Sequence, residues 1–313
     1  RTTKRLSRDP LWCGAGMCEV EPMVLSADAA ADLFRSPPDQ YLDVGDAAVA
    51  YRRVGEGPDV VFSHGWPASG ATFRRMLPHL VEHVTCHVVD LPGAGDSRFD
   101  RSTSISITDH AQALRRCVDD LGLTSFGVVG HDSGGMIARF AFSGDPRVHG
   151  WGLIATEQPP KAHWRFSSFL AVRFIPRFEE ILARVVTRPG LRRNKFILGD
   201  AFADKDLLGG EFEEFFLQPL RDDPERRWAA GEFGRNFDLG LFADLMACHR
   251  EITVPVQLVW GAQDPFFPVQ RARDMMGQFS GPVDLEVVED AKLFVHEEYP
   301  QRAAHAILDA VRG

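Results

Sequence analysis

The sequence predicts an α/β fold: a mostly parallel sheet covered by helices on both faces and interrupted once by a helical block. Three observations carry this. Short apolar runs of strand length, at 60–63, 125–129 and 254–260, lack the polar alternation of a strand with one wet face. Segments of helical period stand between them, as in the strand–helix–strand units of a parallel sheet. From about Gln158 to Ile252 the alternation gives way to helices, loops and Phe-rich pieces, and then it resumes.

Taken in order, residues 1–38 read as a loose arm with one helical piece at 27–35, closed by Ser36-Pro37-Pro38. The core is expected over 39–157 and 253–313. Its strands are placed after Tyr41, at 47–54, 60–63, 85–90, 125–129, 148–154, 254–260 and 283–288. Its helices are placed at 71–80, 107–121 (capped by Thr108), 134–143, 269–279 and 301–311. Residues 158–252 are expected to form an inserted helical cap.

With 313 residues, 44% hydrophobic and 25% charged, the chain has the composition of a soluble globular protein. Its net charge of −9 argues against a nucleic-acid partner, because phosphate binding needs clustered Lys and Arg. The basic run at 1–8 is short. Five scattered cysteines (Cys13, Cys18, Cys86, Cys117, Cys248) give no disulfide framework and suit free thiols in a cytoplasmic setting. No apolar run reaches the roughly 18 residues of a membrane span, and the basic N-terminus lacks the apolar segment of a signal peptide. No histidine–carboxylate cluster has metal-ligand spacing. Gly93-Ala94-Gly95 lacks the rest of a dinucleotide fingerprint. The expected partner is a small hydrophobic molecule, without metal or other cofactor. The oligomeric state stays open.

The chemistry centres on Gly130-His131-Asp132-Ser133-Gly134. A nucleophile elbow is a strained strand-to-helix turn that needs small residues two before and two after its nucleophile. Centred on Asp132, those places hold Gly130 and Gly134. Centred on Ser133, one of them holds the bulky His131, so the sterics select the carboxylate. A carboxylate nucleophile suits displacement at a saturated carbon and gives an ester that water must hydrolyse. Other polar residues follow the remaining strands, where a parallel sheet gathers its functional groups: His64-Gly65-Trp66-Pro67, Asp90 to Ser97, Glu157, Gln263-Asp264 and Asp290 to Glu298.

These motifs resemble the α/β-hydrolase family, and within it the haloalkane dehalogenases and epoxide hydrolases. The resemblance runs from about Tyr41 to Arg312 and rests on the histidine–glycine loop, the Asp90–Ser97 loop, the Asp132 elbow and Trp260-Gly261-Ala262-Gln263-Asp264. It implies Asp132 as nucleophile and the main-chain N–H groups of Trp66 and Ser133 as the oxyanion hole. It further implies a histidine base, oriented by Asp264 or alternatively Glu157. The family's last motif reads Gly-His-Phe, and here Leu293 occupies the histidine's place. His296 lies three residues later. If a helix starts at Phe294 it shares Leu293's face and can serve as base; otherwise it is a solvent-facing histidine.

His64, Trp66, His163 and Trp164 are the candidate substrate contacts, with the Trp66 indole as a halide donor. The cap holds no tyrosine, which disfavours ordinary epoxide opening. The expected activity is a cofactor-free, haloalkane dehalogenase-like hydrolase working through a covalent alkyl ester. An epoxide hydrolase and a non-hydrolytic, ligand-binding relative are the alternatives. A Ser133 esterase is opposed by the elbow sterics.

Overall fold

The computed structural model describes residues 24–313. The basic run at 1–8, Cys13 and Cys18 lie outside them. The sheet contains β1 (Gln40–Asp43), β2 (Ala48–Val54), β3 (Asp59–Ser63), β4 (Thr85–Asp90), β5 (Phe126–His131), β6 (Val148–Ile154), β7 (Val256–Gly261) and β8 (Val283–Val288). Its spatial order is β1-β2-β4-β3-β5-β6-β7-β8. β1–β2 and β2–β4 pair antiparallel, and every pairing from β4 through β3 to β8 is parallel. The apolar strands are apolar because both faces are covered: every residue of β4 and of β5 is buried.

On one face lie α2 (Ile107–Asp120) and α3 (Ser133–Phe142), with Leu114, Val118, Ile137 and Phe142 in that core layer. The other layer takes Ala30 of α1 (Ala27–Arg35), Phe73, Met76 and Leu80, and Ile307 and Val311 of the last helix, Pro300–Val311. Between β6 and β7 stand α4 (Trp164–Leu170), α5 (Phe178–Val186), α6 (Pro224–Arg235) and α7 (Leu241–Glu251), with loops and shorter helical pieces between them.

Three local expectations need correction. The helix expected at 71–80 is two short 3-10 turns, Gly70–Phe73 and Leu77–His79. Pro78 lacks the N–H that a continuous helix needs. The cap of α2 is Ser106, whose Oγ accepts the Asp109 N–H at 3.2 Å, and not Thr108. The arm is docked from α1 onward: Ala30 and Ala31 are buried, and the Arg52 guanidinium of β2 donates to Leu33 O (2.8 Å) and Ser36 O (3.0 Å). An arginine reaching two free carbonyls at a helix end satisfies groups that the helix itself cannot.

The topology fixes where a site can form. From β3 the chain crosses to β4 on one side, and β5 returns to the other side of β3. Loops leaving β3 and β5 therefore diverge and open a crevice at their carboxyl ends. Ser63 pairs with Gly130 at those ends, so the 64–67 loop and the elbow are neighbours.

Candidate active site

At the elbow, Asp132 has φ 51° and ψ −138°, and α3 begins at Ser133. A non-glycine residue held there costs on the order of 1–3 kcal/mol. The strain falls on Asp132, the residue that the glycine spacing selects. A Cβ on Gly134 would lie 2.2 Å from Ser63 O, and one on Gly130 2.5 Å from the Gly135 Cα. Any larger side chain at either place would push the strand and the helix apart. The Asp132 N–H donates to Ile154 O and Ala155 O, and its carbonyl accepts from the Gly135 N–H (2.9 Å) and the Thr156 hydroxyl (2.8 Å). The turn is thus held from both sides.

The Asp132 carboxylate faces the Trp66 N–H, 3.1 Å from Oδ2, and also accepts from the Ser133 N–H. Both proposed oxyanion donors therefore already point at the group that would become the ester. The carboxyl is buried and lines a largely apolar cavity. Phe166, Phe169, Phe233, Phe237, Phe266 and Leu293 supply apolar lining, and Glu157 joins Asp132 as a second carboxyl on the wall. Several aromatics of the 158–252 segment thus line a pocket over the elbow. Phe202, Phe216 and Phe242 are instead buried as packing, and Trp164, Phe174 and Phe196 are exposed.

Burial pushes the Asp132 carboxyl well above the usual carboxylate range. The nearby Glu157 raises it further, the Ser133 and Trp66 N–H groups pull it back, and Asp264 adds a smaller push. Glu157 is also raised, chiefly by burial, against the pull of Arg139, its own backbone N–H and the Thr156 hydroxyl. Its Oε2 lies 2.9 Å from Thr156 Oγ1, and its Oε1 is buried with no partner.

The histidines lie away from this cavity. His296 is fully buried, with Nε2 2.8 Å from Thr72 Oγ1 and its ring 4.1 Å from that of His131. It is neither solvent-facing nor part of the cavity wall, which takes Leu293 and Phe294 instead. The expected shared face fails because the helix Val295–Glu298 starts one residue late. Phe294, at φ −89° and ψ 48°, is still turn, so Leu293 and His296 do not stand in helical register. Burial and the neighbouring His131 hold His296 well below the ordinary histidine range, which leaves it neutral. His131 donates from Nε2 to Leu293 O (3.1 Å) and is pushed down to about 3, first by burial.

His64 is a loop tie: Nδ1–H donates to Gly65 O, and Nε2 accepts the Leu91 N–H at 2.9 Å. It faces a second cavity, on the other side of Trp66. The Trp66 indole N–H, expected to hold a halide, donates to Ala230 O of α6 at 3.0 Å. His163 precedes α4, and Trp164 is 67% exposed; neither lines the cavity over Asp132. Asp90 is also structural, accepting the Gly70 N–H (2.7 Å) and the Asp96 N–H (2.9 Å).

Asp264 accepts the Phe266 and Phe267 N–H groups on Oδ1 at 2.8 and 3.0 Å, while Oδ2 is buried without a partner. Its loop packs on the one that carries Leu293, through the Gln263 N–H to Ala291 O bond (3.0 Å). No imidazole meets Oδ2, and burial pushes the group up to about 7. A carboxyl raised from 3.8 to about 7 adds stability that is fully present below pH 3.8 and lost as the pH rises through 7. Asp264→Asn retains an acceptor for both N–H groups and is expected to stabilise the protein at pH 8 by about 2–4 kcal/mol. Urea unfolding at pH 4 and pH 8 checks this, and an equal effect at both would contradict it.

Two residues that sequence reasoning passed over complete the site. Arg139, fully buried in α3, donates to Gly135 O (2.9 Å), His249 Nε2 (2.8 Å), Thr156 Oγ1 (2.8 Å) and Glu157 O (3.0 Å). Thr156 links the elbow to Glu157. The available signal was a lone arginine in the otherwise apolar run Gly134–Phe142. Among the described residues no group of three or more His, Cys, Asp or Glu is placed to hold a metal, and no helix is long and apolar enough to cross a membrane.

Comparison with known proteins agrees with this architecture. A haloalkane dehalogenase from Mycobacterium bovis is 25% identical over 279 residues, covering 86% of this chain and 93% of its own. A pimeloyl-[acyl-carrier protein] methyl ester esterase from Chromobacterium violaceum is 29% identical over 270 residues, covering 81% and 89%. Among solved structures, the ligand-free epoxide hydrolase CorEH superposes with a TM-score of 0.73 at 21% identity, covering 87% of this chain and 97% of that one. The α/β hydrolase fold family model matches residues 58–300, well over half of the sequence. Sheet order, strained elbow and family match agree, and the chain belongs to the α/β-hydrolase fold family.

Proposed function

We propose that the protein is a cofactor-free hydrolase in which Asp132 attacks an electrophilic carbon of a small hydrophobic molecule and forms an alkyl ester. The observation that carries this is the Asp132 carboxyl itself: strained at the elbow, in an apolar cavity capped by the 158–252 segment, with the Trp66 and Ser133 N–H groups facing it. Once the ester forms, those donors meet the oxygen that becomes an oxyanion when water adds, a stabilisation worth about 3–4 kcal/mol per donor in other enzymes. Dehalogenase and epoxide hydrolase relatives share the fold and fit this chemistry. The elbow gives no support to a serine esterase, because Ser133 Oγ accepts the Trp66 N–H and has no histidine beside it.

Isotope labelling tests the ester. In a single turnover with enzyme in excess in heavy-oxygen water, the alcohol formed from an alkyl bromide is expected to carry ordinary oxygen from Asp132. The heavy label is expected to remain in the enzyme. Heavy oxygen in the first-turnover alcohol would show direct attack by water and reject the ester route.

A further inference from the structure

The cavity wall that lacks a histidine carries Glu157, and Glu157 has a use for which nothing else in the cavity is placed. Its side chain is fully buried on the same wall as Asp132. Thr156 Oγ1 receives a hydrogen from Arg139 and lies within hydrogen-bond distance of both Asp132 O and Glu157 Oε2. A hydroxyl has one hydrogen to give. The elbow carbonyl, at 2.8 Å, also holds the Gly135 N–H, so the Thr156 hydrogen can serve either it or Glu157 Oε2 at 2.9 Å. The network therefore closes with Glu157 in either state: as carboxylate it accepts the Thr156 hydrogen, and as acid it donates to Thr156 Oγ1 or to a ligand. Asp132 differs in having two N–H donors, which offset part of the rise that burial and Glu157 impose on it. Arg139 draws Glu157 the other way, but its own hydrogen bonds go to Gly135 O, Thr156 Oγ1, Glu157 O and His249, not to the carboxyl. Glu157 Oε1 is left free inside the cavity wall.

We infer that Glu157 is the acid and then the base of the reaction, which makes a strained cyclic ether, an epoxide, the substrate class this pair fits. This rests on the Asp132 ester reading above. Asp132 attacks a ring carbon, the ring C–O bond breaks, and the released oxygen takes the Glu157 proton. The products are a hydroxyalkyl ester and a Glu157 carboxylate. Water then gives a proton to Glu157 as its oxygen adds to the ester carbonyl carbon. The bond between that carbon and the alkyl oxygen breaks. The alkoxide takes a proton from the Asp132–Glu157 pair, which again holds one proton, and a vicinal diol leaves. A single carboxyl that serves first as acid and then as base is established chemistry in retaining glycosidases. It removes the need for cap tyrosines, which this chain lacks, and for a histidine at 293.

The test compares wild type with Glu157→Gln on two probes, 1-bromohexane and styrene oxide. Bromide leaves without a proton, so Glu157→Gln is expected to remain open to alkylation by 1-bromohexane but to hydrolyse the ester at least 100-fold more slowly. With styrene oxide both steps are expected to slow. The bromohexane alkylation rate also reports that the variant is folded. Normal hydrolysis of the hexyl ester by Glu157→Gln would overturn the role of Glu157 while the ester reading stands. Absence of any Asp132 ester in either protein would overturn both.

If Glu157→Gln does not fold, wild type decides by the pH profile of hexyl-ester hydrolysis. The groups around Glu157 are Asp132 (esterified and neutral), Thr156, Arg139 with His249 behind it, and Asp264 further off. The rate is expected to rise with pH and then level as Glu157 ionises. A flat profile, or a rise without a plateau, would overturn the proposal.

Discussion

Asp132→Gly is expected to abolish turnover while making the protein more stable. Loss of a nucleophile costs on the order of 10⁴- to 10⁶-fold in kcat. Glycine adopts φ 51° without penalty, so the variant recovers about 1–3 kcal/mol of backbone strain. It also removes a buried carboxyl whose proton affinity is raised in the fold. Such a group adds stability below its ordinary pKa and loses it as the pH rises, so the gain from Asp132→Gly should be larger at pH 8 than at pH 5. Thermal unfolding at the two pH values, beside a halide- or diol-release assay, checks both halves. A variant that is inactive and also less stable at both would show that the elbow is not a strained functional turn.

Leu293→His is expected to rescue Glu157→Gln. The Leu293 side chain lines the cavity beside Asp132, and its loop packs on that of Asp264, whose Oδ2 is buried and unpartnered. An imidazole at 293 would find a water in the cavity on one side and a carboxylate on the other. General-base catalysis is worth about 10²- to 10⁴-fold, so even poor alignment should restore hydrolysis of the stalled hexyl ester by about 10-fold or more. Single-turnover decay of the adduct measures it. No change in decay, with Asp264 intact, would mean that the vacant carboxylate does not face position 293.

What could be read from the sequence was whatever short-range sterics or hydrophobic period dictates. The elbow was legible because Gly130 and Gly134 leave only one residue between them that can take the strained turn. The strand runs were legible because burial on both faces removes polar alternation. His296 was misread because its placement depends on where one turn ends. With Val295 as the first helical residue, the imidazole goes to Thr72 and His131 and not to the cavity. The Trp66 indole N–H, a halide donor on sequence grounds, is taken up here by a partner 164 residues away, the Ala230 carbonyl. The Thr156–Arg139 link to Glu157 was invisible for the same reason. It joins a strand end, a helix interior and an elbow, and no spacing in the chain announces it.

The central claim is that Asp132 becomes an ester. Peptide mapping by mass spectrometry, after incubation with 1-bromohexane or styrene oxide and rapid acid quench, tests it most directly. The account predicts an added alkyl or hydroxyalkyl mass on the peptide that contains Asp132, localised to its carboxyl and absent from Asp132→Gly. Turnover of either probe with no such adduct, or labelling of Ser133 by a fluorophosphonate with loss of activity, would contradict it.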